Sequence, residues 1–372
     1  MTKAFVAPTL RDELSTTIRG TGPIDFAAFM DVALYDPDDG FYARPPVGEE
    51  GHFVTSPHVS PAFGDLLARQ VAGSWEALGR PRPFDLVEVG AGDGTLALQI
   101  LTAARTVPEL ADAIRYTGVE RTPGVRAALE ASGLPVRTSL EDVGSATGMV
   151  LANEVLDNLP FHRLRERDGR LREVYVGLDG DRLIEVEDEP SAAALAALGD
   201  RRPGPGRELP VSPAAAAMVR RIAGVLERGH ALLFDYGFTG RQTPGPVHAY
   251  RDHRVLAEVL EDPGSRDVTA AVDLDAVADE ARRSGLQVWG PVTQRQALLG
   301  LGYRLWASGV RARQTEAEVR GDWREANRLY AARSRASILI DGAKLGGLWL
   351  LAFGTEGLPA PAAALGDRQI GC

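Results

Sequence analysis

The chain has 372 residues, 44% hydrophobic and 25% charged, the balance of a globular protein long enough to bury a core without covalent staples. Its formal net charge of -10 argues against sequence-independent nucleic-acid binding, which needs basic surface to neutralise phosphates. A single cysteine, Cys372, excludes an intrachain disulfide and a cysteine metal site, and the longest apolar run, residues 346–354, is too short to span a membrane.

An N-terminus without an apolar signal core, together with abundant Ala, Arg and Gly, leads to the expectation of a bacterial, cytoplasmic protein. Residues 1–80 read as helical with irregular joins. Phe26, Phe29, Met30 and Ala33 recur at helical spacing, the turn residues 36–40 end that helix, and 62–79 is a further amphipathic helix. From residue 84 strands alternate with helices. Residues 84–92 are a strand entering a glycine-rich turn, 94–105 a helix and 114–120 a second strand. Thr122 can cap the next helix, with Pro123 in its first turn. A short third strand lies near 136–143 and a fourth over 147–158. This alternation predicts a parallel sheet with helices on both faces.

The pattern changes over 161–188. Apolar and polar residues alternate around Asp-Gly turns at 168–169 and 179–180, which predicts an antiparallel meander of three strands. Beyond the loop at 201–206, a helix is predicted over 212–229, a strand over 230–238, a helix over 273–285 and a strand over 287–294. Helices follow over 295–309 and from Glu316 to about Ile338. The final strand is 344–354, and the tail after Gly357 reads as loosely ordered.

Chemistry concentrates at three strand ends. After the first strand comes Glu88-Val89-Gly90-Ala91-Gly92-Asp93-Gly94-Thr95. A small-residue turn before a helix lets a ligand lie against the backbone. The dinucleotide fingerprint needs a third glycine where this chain has Thr95. The carboxylate of Glu88 suits the sulfonium and ammonium of S-adenosylmethionine better than a pyrophosphate. The second strand ends in Glu120, placed to accept ribose hydroxyls. The fourth strand ends in Asn153-Glu154-Val155-Leu156-Asp157-Asn158. In open α/β sheets this edge faces the ligand, and an amine or guanidinium that takes up a methyl needs a carboxylate to orient it and hold its proton. Glu154 and Asp157 are the candidates. The plainer alternative is that Asn153 and Asp157 cap loops while Glu154 is solvated. The six histidines show no metal-ligand spacing, so no metal is expected, and neither Ser56 nor Ser60 has a nucleophile-elbow context.

Taken together, these motifs resemble the MidA-like methyltransferases, the family of the mitochondrial complex I assembly arginine methyltransferase and its bacterial relatives. The blocks that carry the resemblance are residues 22–42, 51–64, 88–101, 152–163, 234–237, 250–286 and 292–302, in that order. The resemblance implies an α/β fold: a class I, Rossmann-like, mostly parallel core with an N-terminal helical cap and an antiparallel β and helical substrate-side insertion. The corresponding division is a cap over 1–80, core over 81–160, β insertion over 161–210, second half of the core with the helical insertion over 211–358, and a tail over 359–372. It further implies that Thr55, Ser56 and Pro57 join Gly90, Ala91, Gly92, Glu120 and Arg121 at the S-adenosylmethionine pocket, with S-adenosylhomocysteine as product. By the same resemblance, adenine lies near Leu140 and Glu141, Asn153 sits at the methyl, and Glu154 matches an acid that grips guanidinium.

The sequence departs from the family pattern at His52 and His58, where acids are usual, and at Ala128. The two histidines raise the expectation of an altered substrate charge preference, with drift on a surface loop as the plainer alternative. Protein or peptide N-methylation, arginine first, leads. A small-molecule acceptor and a non-catalytic assembly factor are the alternatives. Nucleic-acid and membrane partners are not expected, and a homodimer is compatible.

Overall fold

The computed structural model describes residues 9–43, 55–240, 242, 244–251 and 254–366. Among them, seventeen strands, β1 to β17 in chain order, form four sheets. The largest contains β2 (Phe84–Val89), β3 (Ile114–Val119), β4 (Val136–Arg137), β5 (Ala146–Asn153), β10 (Leu226–Asp235), β16 (Gln287–Thr293) and β17 (Trp349–Gly354), in the order β16-β17-β10-β5-β2-β3-β4. The pairs from β10 to β4 are parallel, and β17 lies antiparallel to both its neighbours.

The side-chain period of two decides what each face buries. In β2, Phe84 and Leu86 join one apolar cluster while Val87 and Val89 join another, and in β10 Leu232 and Phe234 oppose Ala231 and Leu233 in the same way. Helices Ala62–Ala77, Thr95–Ala104 and Gln294–Gly300 cover the first face; helices Pro213–Val225 and Leu274–Arg283 cover the second. A sheet covered on both sides needs strands that are apolar throughout, and every residue of β2 is buried. From β2 the chain runs one way to β3 and β4, then crosses back to β5 and β10. The crevice at the carboxyl ends of β2 and β5 is the switch point where α/β sheets bind ligands.

The predicted meander is β6 (His162–Arg167), β7 (Arg170–Asp179) and β8 (Arg182–Asp188). Its first turn places Asp168 and Gly169 at φ 53° and 76°, the two left-handed residues of a tight hairpin. Strands β1 (Ile24–Asp25) and β9 (Glu208–Val211) extend this sheet. Helices Leu10–Thr21 and Phe26–Tyr35 pack against it, the first through Leu14 and Ile18 and the second through Phe26, Phe29 and Met30, in one cluster with Phe161, Val176 and Leu183. The stretch 237–273, for which the sequence beyond Phe238 suggests no element, forms two small sheets: β11 (Gly237–Phe238) with β15 (Val272–Asp273), and β12 (His248–Arg251) with β13 (Arg254–Leu256) and β14 (Asp267–Thr269).

Several boundaries differ from expectation. The helix predicted to continue to 229 stops at Val225, because Leu226 and Arg228 already pair in parallel with Ala146 and Thr147. The helices predicted over 295–309 and 316–338 are divided elsewhere: the chain breaks at Gly302 and Gly321, with φ of 88° and 76°, so the long helices are Tyr303–Val319 and Trp323–Ala336. Thr122 occupies the predicted capping position, but its hydroxyl makes no hydrogen bond among the described residues. The segment 344–347 is not strand, since Leu345–Gly347 is a 3₁₀ turn. The tail docks rather than dangling as far as residue 366: Ala363 is buried and its amide donates to Gln70 Oε1 at 2.9 Å.

Candidate active site

A cavity of about 560 Å³ opens at the carboxyl ends of β2, β3 and β5. It is lined by the predicted residues Glu88, Gly90, Ala91, Gly92, Glu120, Arg121, Leu140, Asn153, Glu154, Thr55 and Pro57. The turn after β2 needs its glycines. Gly90, Gly92 and Gly94 have φ of 67°, 54° and 80°, a region that side chains disfavour. A Cβ on Gly90 would lie 2.6 Å from Val155 Cγ2, whereas one on Gly92 would meet nothing within 4 Å among the described residues.

Two acids flank this turn. Glu88 is buried and accepts the Tyr116 hydroxyl at 2.8 Å. Burial pushes its carboxyl up to about 8, against that hydrogen bond. Glu120 is also raised by burial, although the amides of Thr122, Gly92 and Arg121 hydrogen-bond to it. Arg121 lies over the Tyr35 ring at 4.3 Å and pairs with Asp31 at 2.9 Å.

At the end of β5, Glu154 stands at φ 55°, an uncommon and strained conformation for a residue with a Cβ. Three contacts hold it. Its amide donates to Phe234 O at 2.8 Å. Its Oε1 accepts the Ser56 amide at 3.2 Å and Asn153 Nδ2 at 3.0 Å. The loop beyond it is gathered by Asp235 at the end of β10, whose Oδ2 accepts the amides of Val155, Leu156 and Asp157 at 3.1, 2.7 and 3.4 Å. Burial raises Glu154 to about 7, against the Ser56 amide. Its carboxyl can therefore gain and lose a proton near neutrality.

Three predicted residues stand elsewhere. Asp157 does not line this cavity. It borders a second one of about 450 Å³, behind the 154–160 loop, and accepts the Thr269 hydroxyl at 2.8 Å; burial raises it to about 6. Ser56 is fully buried behind the wall, with its hydroxyl on Gln294 Oε1 at 3.1 Å, and reaches the cavity only through its amide bond to Glu154. Glu141 is outside the lining and pairs with Arg221, which does line the cavity, at 2.9 Å. His52 lies outside the described residues. His58 bridges Thr55 Oγ1 at 2.9 Å and Asp93 Oδ2 at 3.0 Å. Although burial pushes the Asp93 carboxyl up, the bonds from His58 and Thr95 leave it below its usual range.

Sequence reasoning missed Asp235, Tyr35, Asn158, Met218 and Arg221. Asp235 had a signal, an acid at the end of a core strand in the Phe-Asp-Tyr-Gly block, without an assigned role. Met218 and Arg221 come from a helix whose Ala-rich run gives no chemical hint.

The wall is acidic and holds a free acceptor, since Asn153 Oδ1 is buried without a hydrogen-bond partner among the described residues. Unpaired carboxylates and a spare carbonyl oxygen fit a ligand bearing a sulfonium and an ammonium, and the glycine turn leaves room for it to approach the backbone. Comparison with known proteins agrees. Residues 66–292 match the family model described as "Putative S-adenosyl-L-methionine-dependent methyltransferase". The chain is similar to the protein arginine methyltransferase NDUFAF7 homolog of Drosophila melanogaster, 33% identical over 77% of this chain and 73% of that one. It is 30% identical to human mitochondrial NDUFAF7, covering 85% of this chain and 78% of that one. Among solved structures, a COG1565 superfamily member from Burkholderia thailandensis bound to S-adenosyl-homocysteine superposes with a TM-score of 0.83 at 27% identity, over 99% of this chain and 100% of that one. The protein described here thus belongs to this family of S-adenosyl-L-methionine-dependent methyltransferases.

Proposed function

We propose that this methyltransferase modifies a nitrogen of a protein or peptide, with an arginine side chain as the favoured acceptor. The observation that carries this is Glu154: a carboxylate on the cavity wall, fixed on one oxygen by Ser56 and Asn153 and raised to about 7. Bound in the cavity, S-adenosylmethionine supplies an electrophilic methyl on a sulfonium. Glu154 would hold the acceptor's N–H groups and so orient its lone pair into the cavity. The Glu154 carboxylate would take up the proton that the acceptor nitrogen loses on methylation, its affinity for a proton being raised by burial to about 7. Asn153, bonded to the same oxygen, keeps the carboxylate from turning away.

Gly90, Ala91 and Gly92 are assigned to the backbone approach of the cofactor, Glu88 to its cationic end, Glu120 to the ribose and Leu140 to the adenine side. Asp157 is reassigned from catalysis to support of the loop. The single cysteine supports a reducing, cytoplasmic setting. The relatives' arginine methyltransferase names favour a guanidinium acceptor.

The test is methyl transfer from labelled S-adenosylmethionine to arginine-containing and lysine-containing peptides and to a panel of small amines and phenols. Label confined to arginine peptides supports the proposal. Label confined to small molecules overturns it in favour of a small-molecule enzyme, and cofactor binding with no transfer to any acceptor favours the assembly-factor alternative.

A further inference from the structure

The two helices Tyr303–Val319 and Trp323–Ala336 pack against each other as an antiparallel hairpin, with Arg333 Nη2 donating to Gln314 Oε1 across the pair. Tyr303, Val310 and Ala317 are buried on one side, Ala326, Leu329 and Ala336 on the other. The outward face is unusual in two ways. First, Leu305 and Val319, two heptads apart on the first helix, are 69% and 83% exposed, and Trp323 and Tyr330, one heptad apart on the second, are 64% and 56% exposed. Seven-residue spacing keeps each pair on one stripe. Second, residues 303–336 hold eight arginines against four acids, a net +4 in a chain of net -10. Arg304, Arg311, Arg313, Arg320, Arg324 and Arg335 form no ion pair among the described residues.

The hairpin is rooted beside the cavity. The 3₁₀ turn Ser337–Ile340 that follows it contacts the turn Ser56–Val59. Gln294 joins the two, donating to Leu339 O at 3.1 Å while its Oε1 accepts the Ser56 hydroxyl. The same Ser56 holds Glu154 through its amide.

We infer that this hairpin docks an acidic, partly apolar segment of the polypeptide whose basic side chain enters the cavity. The inference rests on the proposed polypeptide acceptor and adds its chemistry: a basic target flanked by acid. Charge complementarity selects the occupant. Unpaired arginines attract carboxylates, while Leu305, Val319, Trp323 and Tyr330 supply apolar and aromatic anchors of the kind that dominate interfaces. The acidic cavity and the basic arm demand opposite charges, so a uniformly basic or uniformly acidic chain satisfies only one of them.

The experiment uses two synthetic peptides of equal length, each with one arginine and the same apolar residues, one carrying Glu and Asp beside it and the other Lys. Binding is read by fluorescence anisotropy at low and high salt, and transfer by labelled S-adenosylmethionine. The acidic-flank peptide is expected to bind about tenfold tighter at low salt, with the advantage shrinking as salt screens it. Arg311→Glu/Arg313→Glu/Arg320→Glu/Arg324→Glu should remove that advantage, and Trp323→Ala should weaken both peptides. S-adenosylhomocysteine affinity should stay unchanged in both variants, showing that they fold. Equal binding of the two peptides, or binding unaffected by the charge reversal, overturns the inference. So does hairpin-dependent binding to phosphatidylglycerol vesicles or an oligonucleotide in place of the acidic peptide. If the acidic peptide docks on the hairpin but is never methylated, docking stands and the proposed acceptor fails; methylation that ignores the hairpin variants does the reverse.

Discussion

The Asp235 carboxylate accepts the Leu156 amide at 2.7 Å, and with the same oxygen the amides of Val155 and Asp157. This anchor lies outside the cavity lining yet fixes the loop that begins at Glu154. Deleting it leaves three amides without their acceptor, and each unsatisfied buried group costs about 1–3 kcal/mol. Asp235→Ala is therefore expected to lower the melting temperature and to depress kcat more than KM, because it frees the loop beyond Glu154. Asp235→Asn keeps one acceptor oxygen and should recover much of both. A thermal melt and a kcat-against-KM comparison of the two variants check this; an Asp235→Ala enzyme with normal kcat would show that the loop holds itself.

Glu154→Gln keeps the shape and removes the proton acceptor. Turnover should fall by about 100-fold or more, the ordinary scale of general acid–base catalysis, while S-adenosylhomocysteine affinity by calorimetry stays within a few-fold. The wild-type rate should rise with pH through about 7 as Glu154 ionises, and the Gln variant should lose that limb. Equal loss of cofactor binding would mean that Glu154 belongs to the cofactor's site instead.

The raised acids also set how stability depends on pH. Glu88 and Asp267 are lifted to about 8, Glu154 to about 7 and Asp157 to about 6, in each case chiefly by burial. Between their ordinary values, near 4, and these raised ones, the folded state binds more protons than the unfolded chain. Unfolding free energy then falls as pH rises. The contribution is fully present below the ordinary carboxyl range and is lost as pH climbs through 6 to 8. The ligand-free protein should melt progressively lower from pH 5.5 to 8.5. S-adenosylmethionine, cationic at sulfur, should stabilise most at the high end, where these acids are ionised. A flat or rising melting profile over that range counts against the burial of these carboxyls.

The contrast between Glu154 and Asp157 shows where sequence stops being legible. Both leave the same strand, three residues apart, and both are acids. Which one faces the cavity depends on the backbone turn at Glu154 and on Asp235, about eighty residues later, and no local pattern encodes either. The strand and glycine turn at 84–94 were readable because apolar continuity and small residues are themselves local. The helix end at Val225 was not, since Leu-Glu-Arg favours helix and only pairing with β5 draws Leu226 into strand. The same holds for the docked tail, whose Pro and Ala composition hides its bond to Gln70.

Gly90→Val is expected to abolish cofactor binding, through a route the structure makes specific. Any Cβ at Gly90 strikes Val155 Cγ2, the residue after Glu154, as well as adopting a left-handed φ. Gly90→Ala should therefore weaken S-adenosylhomocysteine binding and turnover together. Adding Val155→Ala should recover part of both, a coupling that a double-mutant cycle measures. Strictly additive effects would leave backbone strain as the sole cause.

The resemblance leads to the expectation of an acid where this chain has His58, and the place of His58 in the structure gives that difference a consequence. Its ring joins Thr55 to Asp93 on the cavity wall. His58→Glu would set a carboxylate against Asp93, and two carboxylates at hydrogen-bond separation cannot both stay ionised. One must take up a proton or the turn must open. S-adenosylhomocysteine binding should weaken by about tenfold, on the scale of one lost charged contact, more at pH 8 than at pH 6, where a shared proton is easier to hold. His58→Gln retains a donor toward Asp93 and should stay within a few-fold of wild type. His58→Glu/Asp93→Asn removes the repulsion and should bind like His58→Gln. If His58→Glu binds as tightly as wild type at both pH values, the histidine is a tolerated surface change and the charge of this wall is set by Glu88, Glu120 and Glu154 alone.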